Sequence, residues 1–275
     1  MRINSSMMIQ QASQSGLVQK SLSKVLEKLS TGKNLNSASD DAAGIAVAKQ
    51  LEAMTRGYKR AGENIGDALS ALNIADGGAS GISDILQRQN ELATQASSDT
   101  LTNQDRQALD VEYQALNQEL GRQADSTQYN GLDLLNGQSP LSNGTGVIQA
   151  GASGASSSQL QAPNTDMTAA AIGAGGSIAT QAGAQVALNS ISKSLDAVSA
   201  QRATLGATSN RLDYAARLNS TMEINTAEAQ SRIEDLDYAQ ASMDLARNDI
   251  LTQSALAATK NFNQISKYTV LGLLQ

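Results

Sequence analysis

The sequence predicts an all-α protein: an elongated antiparallel helical bundle or coiled coil with a small β-hairpin or loop insert, whose termini form a two-helix coiled coil. Three observations carry this expectation. Alternating strides of three and four from Gly44 land on Val47, Leu51, Met54, Tyr58, Ala61, Ile65, Ala68, Leu72, Ala75, Ala79, Ile82 and Leu86 without meeting a charge. A spacing of about 3.5 residues keeps one seam facing a partner helix along its length. Next, the two prolines, Pro140 and Pro163, both fall in mid-chain, which leaves long flanks free of the residue that breaks helices most severely. Finally, 40% of residues are hydrophobic although the chain has no Trp, no Cys, one Phe and six Tyr. Small and medium aliphatics suit closely packed helices better than a thick core.

Taken in order, Val18, Leu22, Val25 and Leu29 recur at four, three and four, so an amphipathic helix covers most of residues 5–31, with Gly32 as its C-cap. The polar connector that follows ends in capping residues. Ser39 or Asp40 accepts from the free amides of the next helix, and Asp41 sits at the positive end of its dipole. That helix, from Gly44 to Leu86, is roughly 65 Å long and continues through Ala93 and Ala96 until Ser97-Ser98-Asp99-Thr100 breaks it. A helix starting near Asp105 carries Leu109, Tyr113, Leu116 and Leu120 and folds back antiparallel after a short loop. Asn130-Gly131 and Asn136-Gly137 are turn dipeptides.

Residues 137–183 are rich in Gly, Ser, Ala and Asn. Asn143-Gly144 before Val147 and Ile148 predicts a small hairpin, and the rest reads as a flexible surface loop. Helix resumes near Ala184 with Leu188, Ile191, Leu195, Val198 and Leu205, and runs on through Leu212, Ala216, Met222, Ala229, Ile233 and Leu236. The last helix carries Leu251, Ala255, Ala258, Phe262, Ile265 and Thr269, and ends in an apolar tip with Leu271, Leu273 and Leu274.

Composition excludes several function classes. A net charge of −6 and the lack of a basic stripe argue against nucleic acid as a partner. Without His or Cys the commonest general base, metal ligands and thiolate chemistry are missing. Glu234, Asp235 and Asp237 form an acidic group, but helical spacing scatters them and a solvated or interface face is expected rather than a metal site. No catalytic residue, cofactor or metal is expected. No window reaches transmembrane length, so no membrane insertion is expected, and the N-terminus lacks the apolar core of a signal peptide. On the general secretory route alone, that would mean a cytoplasmic protein.

Amphipathic helices at both ends, long rods inside them and a loop-rich middle predict a chain folded as a hairpin with its termini together. Two thin terminal helices leave apolar faces that one molecule hardly covers, which predicts self-association, and a non-closing head-to-tail contact generates a helical filament. The assembly residues expected on this ground are Val18, Leu22, Val25 and Leu29 with Leu251, Ala255, Ala258, Phe262, Ile265, Leu271, Leu273 and Leu274.

Leu29-Ser30-Thr31-Gly32 followed by Asn36-Ser37-Ala38-Ser39-Asp40-Asp41-Ala42-Ala43-Gly44 resembles the N-terminal signature of bacterial flagellins. Ser231-Arg232-Ile233-Glu234-Asp235-Leu236-Asp237-Tyr238-Ala239 resembles their C-terminal signature, and Gln128-Tyr129-Asn130-Gly131 and the final Leu-Leu-Gln match as well. The resemblance implies an inner-tube domain from residues 1–40 with 236–275 and a rod-like bundle domain from 41–136 with 184–235. It also implies a variable insert, 137–183, with no separate outer domain. It implies a structural subunit of the extracellular flagellar filament, a homo-oligomer used for motility and exported by the flagellar type III apparatus without a cleaved signal peptide. That overturns the cytoplasmic expectation. An export chaperone, cap proteins and junction proteins are the implied partners.

Residues 87–93 resemble the segment that vertebrate Toll-like flagellin receptors recognise. Arg88, Leu92 and Glu112 match the contact positions of this innate immune receptor, with Asn90 and Thr94 departing from the family's usual residues. Otherwise, Arg88 and Glu112 pair between helices. Two other functions share the helical pattern. A hook-filament junction protein has the same terminal helices, and a chemoreceptor-like signalling hairpin is also long and Ala-rich, although its heptads run on into the tip where this chain is rich in Gly and Ser.

Overall fold

The computed structural model of the chain describes residues 2–273, with side chains described from residue 9 to residue 264 except residues 11, 262 and 263. Among the described residues, six α-helices and two small antiparallel hairpins follow in the order α1 (Arg2–Thr31), α2 (Ala42–Ala96), α3 (Asn103–Ser126), β1 (Gln128–Tyr129), β2 (Leu132–Asp133), β3 (Val147–Gln149), β4 (Gln159–Gln161), α4 (Ala169–Ile172), α5 (Gln181–Glu234) and α6 (Tyr238–Leu273), with one 3-10 turn at Ser156–Ser158. The fold is all-α. Two compact units divide the chain: Met1–Ala53 with Asn225–Gln275, and Met54–Ile224.

In the second unit, α2, α3 and α5 share one core. Ala75, Ala79, Ile82, Leu86 and Leu92 of α2 meet Tyr113 and Leu120 of α3 and Ile191, Val198 and Leu205 of α5. Cross-links fix the directions. Arg106 reaches Ala96, Arg88 reaches Glu112 and Gln89 reaches Asn117, so α3 runs antiparallel to α2. On the other side Gln181 contacts Ser97 and Arg202 contacts Asp76, so α5 is antiparallel to α2 too. Gly78 sits where no larger residue fits, because a Cβ there would lie 2.6 Å from Thr127 Oγ1 and 2.8 Å from Leu135 Cδ1. Absence of a side chain lets the turn after α3 lie directly on α2.

Helix α3 is started by a capping box. Thr102 Oγ1 accepts from Asp105 N at 3.3 Å while Asp105 Oδ2 accepts from Thr102 N at 3.0 Å, so two otherwise orphaned donors are satisfied. Arg106 then turns its guanidinium back to the end of α2. Its Nε donates to Ala96 O and its Nη2 to Ser98 O, both at 2.8 Å, placing a cation where the last carbonyls need donors.

Residues 137–183 depart from the expected flexible loop. Met167 and Ile178 are fully buried and Ile172 nearly so, and all three join the helical core. A small hairpin is present as β3 and β4, paired in the register Ile148↔Leu160, but Asn143-Gly144 precedes both strands and is not its turn: the loop between them is 150–158, and Asn143 bridges Asn164 instead. The ladder of α2 also needs a correction at its start: Val47 is exposed and Ala48 is buried, because the buried side of α2 shifts by one position near its N-terminus. Helix α5 stops at Glu234, so Leu236 belongs to the connector rather than to the helical stripe.

Candidate assembly surface

In the first unit, α1 packs against α6, and two connectors pair beside them. Gly32 ends α1 with φ +72. Lys33 and Asp235 then form a β-bridge, with Asn34 N donating to Glu234 O at 2.7 Å and Leu236 N to Gly32 O at 3.1 Å. Glu234 is nearly buried and accepts from Gln230 Nε2 at 2.8 Å and from Lys33 Nζ. Those two bonds, that from Gln230 first, hold its carboxyl below the ordinary carboxylate range.

Asp40 does not cap α2 as one of the two expected candidates. It accepts from Lys24 Nζ at 2.9 Å and from Ser37 N at 3.1 Å, and these bonds hold its pKa down to about 2. The cap is Asp41, whose Oδ1 accepts from Ala43 N and Gly44 N, both at 3.0 Å. Asp237 does the same for α6, accepting from Ala239 N at 2.9 Å and Gln240 N at 3.1 Å. The acidic group of the C-terminal signature is thus spent on a connector and a cap.

These lowered carboxyl values set a pH dependence. Both groups are more acidic folded than unfolded, so their stabilisation is fully present above the unfolded values near about pH 4 and is lost as pH falls through the folded ones. Protection of the amides in α1 and α6, measured against the intrinsic exchange rate at each pH, is expected to fall between about pH 4 and pH 2. The double variant Asp40→Asn with Glu234→Gln should exchange faster at neutral pH and show a flatter acid response. An unchanged acid response in the variant would show that other groups set it.

The α1–α6 pair decides which side chains remain for other molecules. Val18, Leu22, Val25 and Leu29 are half-buried on the side of α1 that meets its neighbours within the chain. On α6 the inner seam runs through Ala241, Leu245, Asn248, Thr252 and Ala255, each buried or half-buried. Of the residues expected on α6, Ala255 lies in that seam, whereas Leu251 and Ala258 are exposed. The side chains of Phe262, Ile265, Leu271, Leu273 and Leu274 lie outside the described residues. The true seam contains polar members, which hides it from apolar spacing. Ser21 Oγ donates to Asn248 Oδ1 across the pair at 3.1 Å, and Thr252 Oγ1 donates to Asn248 O at 2.8 Å.

Opposite that seam α6 carries a second stripe, Met243, Ala246, Ile250 and Ala257, all exposed. Met243 is 60% and Ile250 64% accessible. A helix with apolar residues on two sides packs on two sides, and one of these is filled by α1. Leu17, Leu26 and Ile9 add exposed apolar groups around α1. Sequence reasoning missed these residues because it looked for a single stripe on each helix.

In the second unit Arg88 Nη2 and Nε bond Glu112 Oε1 at 2.8 and 3.0 Å, and Nη1 bonds Glu91 Oε2 at 2.8 Å. The Glu112 bond, then that of Glu91, pushes the guanidinium pKa up. Both Arg88 and Glu112 are exposed, but Leu92 is buried in the core. The surface brings together only two of the three residues matched to receptor contacts.

Comparison with known proteins agrees with this architecture. A family model described as the bacterial flagellin N-terminal helical region matches residues 3–140, and the bacterial flagellin C-terminal helical region matches residues 188–274. The chain is 36% identical over 253 residues to a flagellin of Halalkalibacterium halodurans, covering 92% of this chain and 91% of that one. It is 32% identical over 271 residues to the flagellar filament 31.3 kDa core protein of Treponema maltophilum, covering 94% of each. The crystal structure of a Bacillus cereus flagellin aligns at 30% identity with a TM-score of 0.50, over 57% of this chain and 88% of that one. The chain belongs to the bacterial flagellin family.

Proposed function

We infer that this chain is the structural subunit of a bacterial flagellar filament, polymerising with copies of itself outside the cell for motility. The observation that carries the reading is the second apolar stripe of α6, with Met243 and Ile250 exposed on a helix already packed against α1. Exposed apolar stripes of this kind are interaction sites. A stripe that meets a different surface on the next copy makes a heterologous contact, which propagates into a helical filament when its rotation does not close into a ring. Relatives named as flagellins or filament core proteins match more than nine-tenths of the chain, which favours neither the junction-protein nor the chemoreceptor alternative.

Within this reading, residues 1–40 with 236–275 form the inner tube, and residues 41–136 with 184–235 the surrounding shell, with 137–183 attached to the shell. Export chaperone, cap and junction proteins are proposed partners, reached through flagellar type III export without a cleaved signal peptide, and the role is structural rather than enzymatic. An innate immune receptor is a proposed partner through Arg88 and Glu112. Electron microscopy of the purified chain after seeding or salting out is expected to show straight or coiled tubes. Removing residues 270–275 should abolish them while leaving a soluble helical protein. Amorphous precipitate from the intact chain, or normal tubes from the shortened one, would count against the reading.

A further inference from the structure

The chain contains three Asn-Gly pairs, at 130, 136 and 143, in three different settings. We propose that Asn130 is a site of spontaneous, non-enzymatic deamidation, and that the fold protects Asn136 and Asn143 from the same reaction. Chemically, the main-chain nitrogen of Gly131 loses its proton to hydroxide and attacks Asn130 Cγ. A ring C–N bond forms, the bond from Cγ to Nδ2 breaks, and Nδ2 leaves as ammonia after taking a proton from water. A second water opens the resulting succinimide at either carbonyl, leaving aspartate or isoaspartate at position 130. The net change is one water consumed and one ammonia released.

Geometry separates the three sites. Asn136 Oδ1 accepts from Gln138 N at 3.0 Å and its Nδ2 donates to Asp125 at 3.4 Å. Asn143 Oδ1 accepts from Thr145 N at 3.0 Å and from Thr145 Oγ1 at 2.6 Å. Such local bonds fix the side-chain amide away from the rotation that the attack requires. Asn130 has no side-chain hydrogen bond among the described contacts, nor does the N–H of Gly131, and both residues are exposed. The following glycine adds no Cβ to obstruct the approaching carbonyl, and nothing lies within 4 Å of where a Cβ on Gly131 would stand.

The pair also forms the whole turn between β1 and β2, with φ 49 at Asn130 and 76 at Gly131, and each strand is only two residues long. A two-stranded hairpin of this size opens readily, which supplies the backbone freedom the ring needs. The product disturbs what holds the hairpin. An added negative charge arises near Asp133 and Asp67, which accept from Gln128 and Tyr129. Isoaspartate inserts one more carbon into the main chain, so the Tyr129↔Leu132 register cannot be kept with a two-residue turn.

Peptide mapping by mass spectrometry after incubation of the full chain in mildly alkaline buffer tests this. The peptide holding Asn130 is expected to gain one mass unit several-fold faster than those holding Asn136 and Asn143, and in urea the three rates should converge. Gly131→Ala should slow the reaction at 130 several-fold. Equal rates in the folded chain, faster reaction at Asn136 or Asn143, or a stable Asn130 would overturn the proposal.

Discussion

Replacing Met243 and Ile250 together by glutamate (M243E/I250E) is expected to abolish polymerisation while leaving helical content and the α1–α6 pair intact. The two residues are 60% and 64% exposed and seven positions apart, so they lie on one side of α6. The inner seam of Ala241, Leu245, Asn248, Thr252 and Ala255 is on the other. A neighbouring subunit that covers the stripe gains about 1.5–3 kcal/mol for each large apolar side chain it buries. Carboxylates in their place forfeit that gain and add the cost of burying an unpaired charge. Losing about 3 kcal/mol or more from each contact raises the concentration needed for assembly by roughly a hundredfold or more. Sedimentation and electron microscopy at matched concentrations would measure it, with circular dichroism to check the fold. In contrast, Leu22→Glu or Val25→Glu should weaken the pair within one subunit and lower its melting temperature. Tubes from M243E/I250E at the wild-type concentration would mean that α6 meets its neighbours elsewhere.

Those two outcomes show where the sequence was readable. Large apolar residues at three-and-four spacing identify a helix and its principal buried side, so Ile65, Ile82 and Leu86 fall in cores as expected. Spacing does not say whether the partner is in the same chain. Val18, Leu22, Val25 and Leu29 are half-buried within their own chain, a distinction that depends on tertiary contacts. On α6 a seam that includes Asn248 and Thr252 is invisible to a search for apolar periodicity, because hydrogen bonds to Ser21 and to the backbone make those residues compatible with a close helix contact. Leu92 stands one position before Ala93, where the ladder from Leu86 continues, and is buried beside it, which removes it from the exposed Arg88 and Glu112 surface. Helix caps were partly legible: the connector ends in several good acceptors, and only geometry distinguishes Asp41 from Asp40.

Residues 137–183 give the clearest separation between composition and structure, and a decisive test. Met167→Ala and Ile178→Ala are each expected to lower the unfolding free energy of the subunit by about 2–5 kcal/mol, the range for truncating a large side chain in a packed core. Both side chains are fully buried, in the cluster that contains Tyr113, Ile191 and Leu205. A segment rich in Gly and Ser usually remains loose because its backbone groups find no partners other than water. Here helix side chains supply them. Asn219 Nδ2 donates to Ala150 O and Gln114 Nε2 to Gly176 O, both at 2.7 Å, while Ser194 Oγ donates to Ile172 O and Gln201 Nε2 to Asp166 O, both at 2.9 Å. Asp110 Oδ1 accepts from Ile178 N at 2.7 Å, and the segment's own Thr165 Oγ1 bonds Leu134 O at 2.6 Å. Scattered large apolar residues then need only reach the helices at fixed points, which no periodic pattern in sequence records. Urea denaturation of the monomer would read the effect as a lower midpoint at an unchanged slope. Val147→Ala, at an exposed position of β3, should stay within about 0.5 kcal/mol of the parent. Equal midpoints for Met167→Ala and Val147→Ala would return the segment to the status of a flexible cover; a large gap between them makes it part of the core that holds α2, α3 and α5 together.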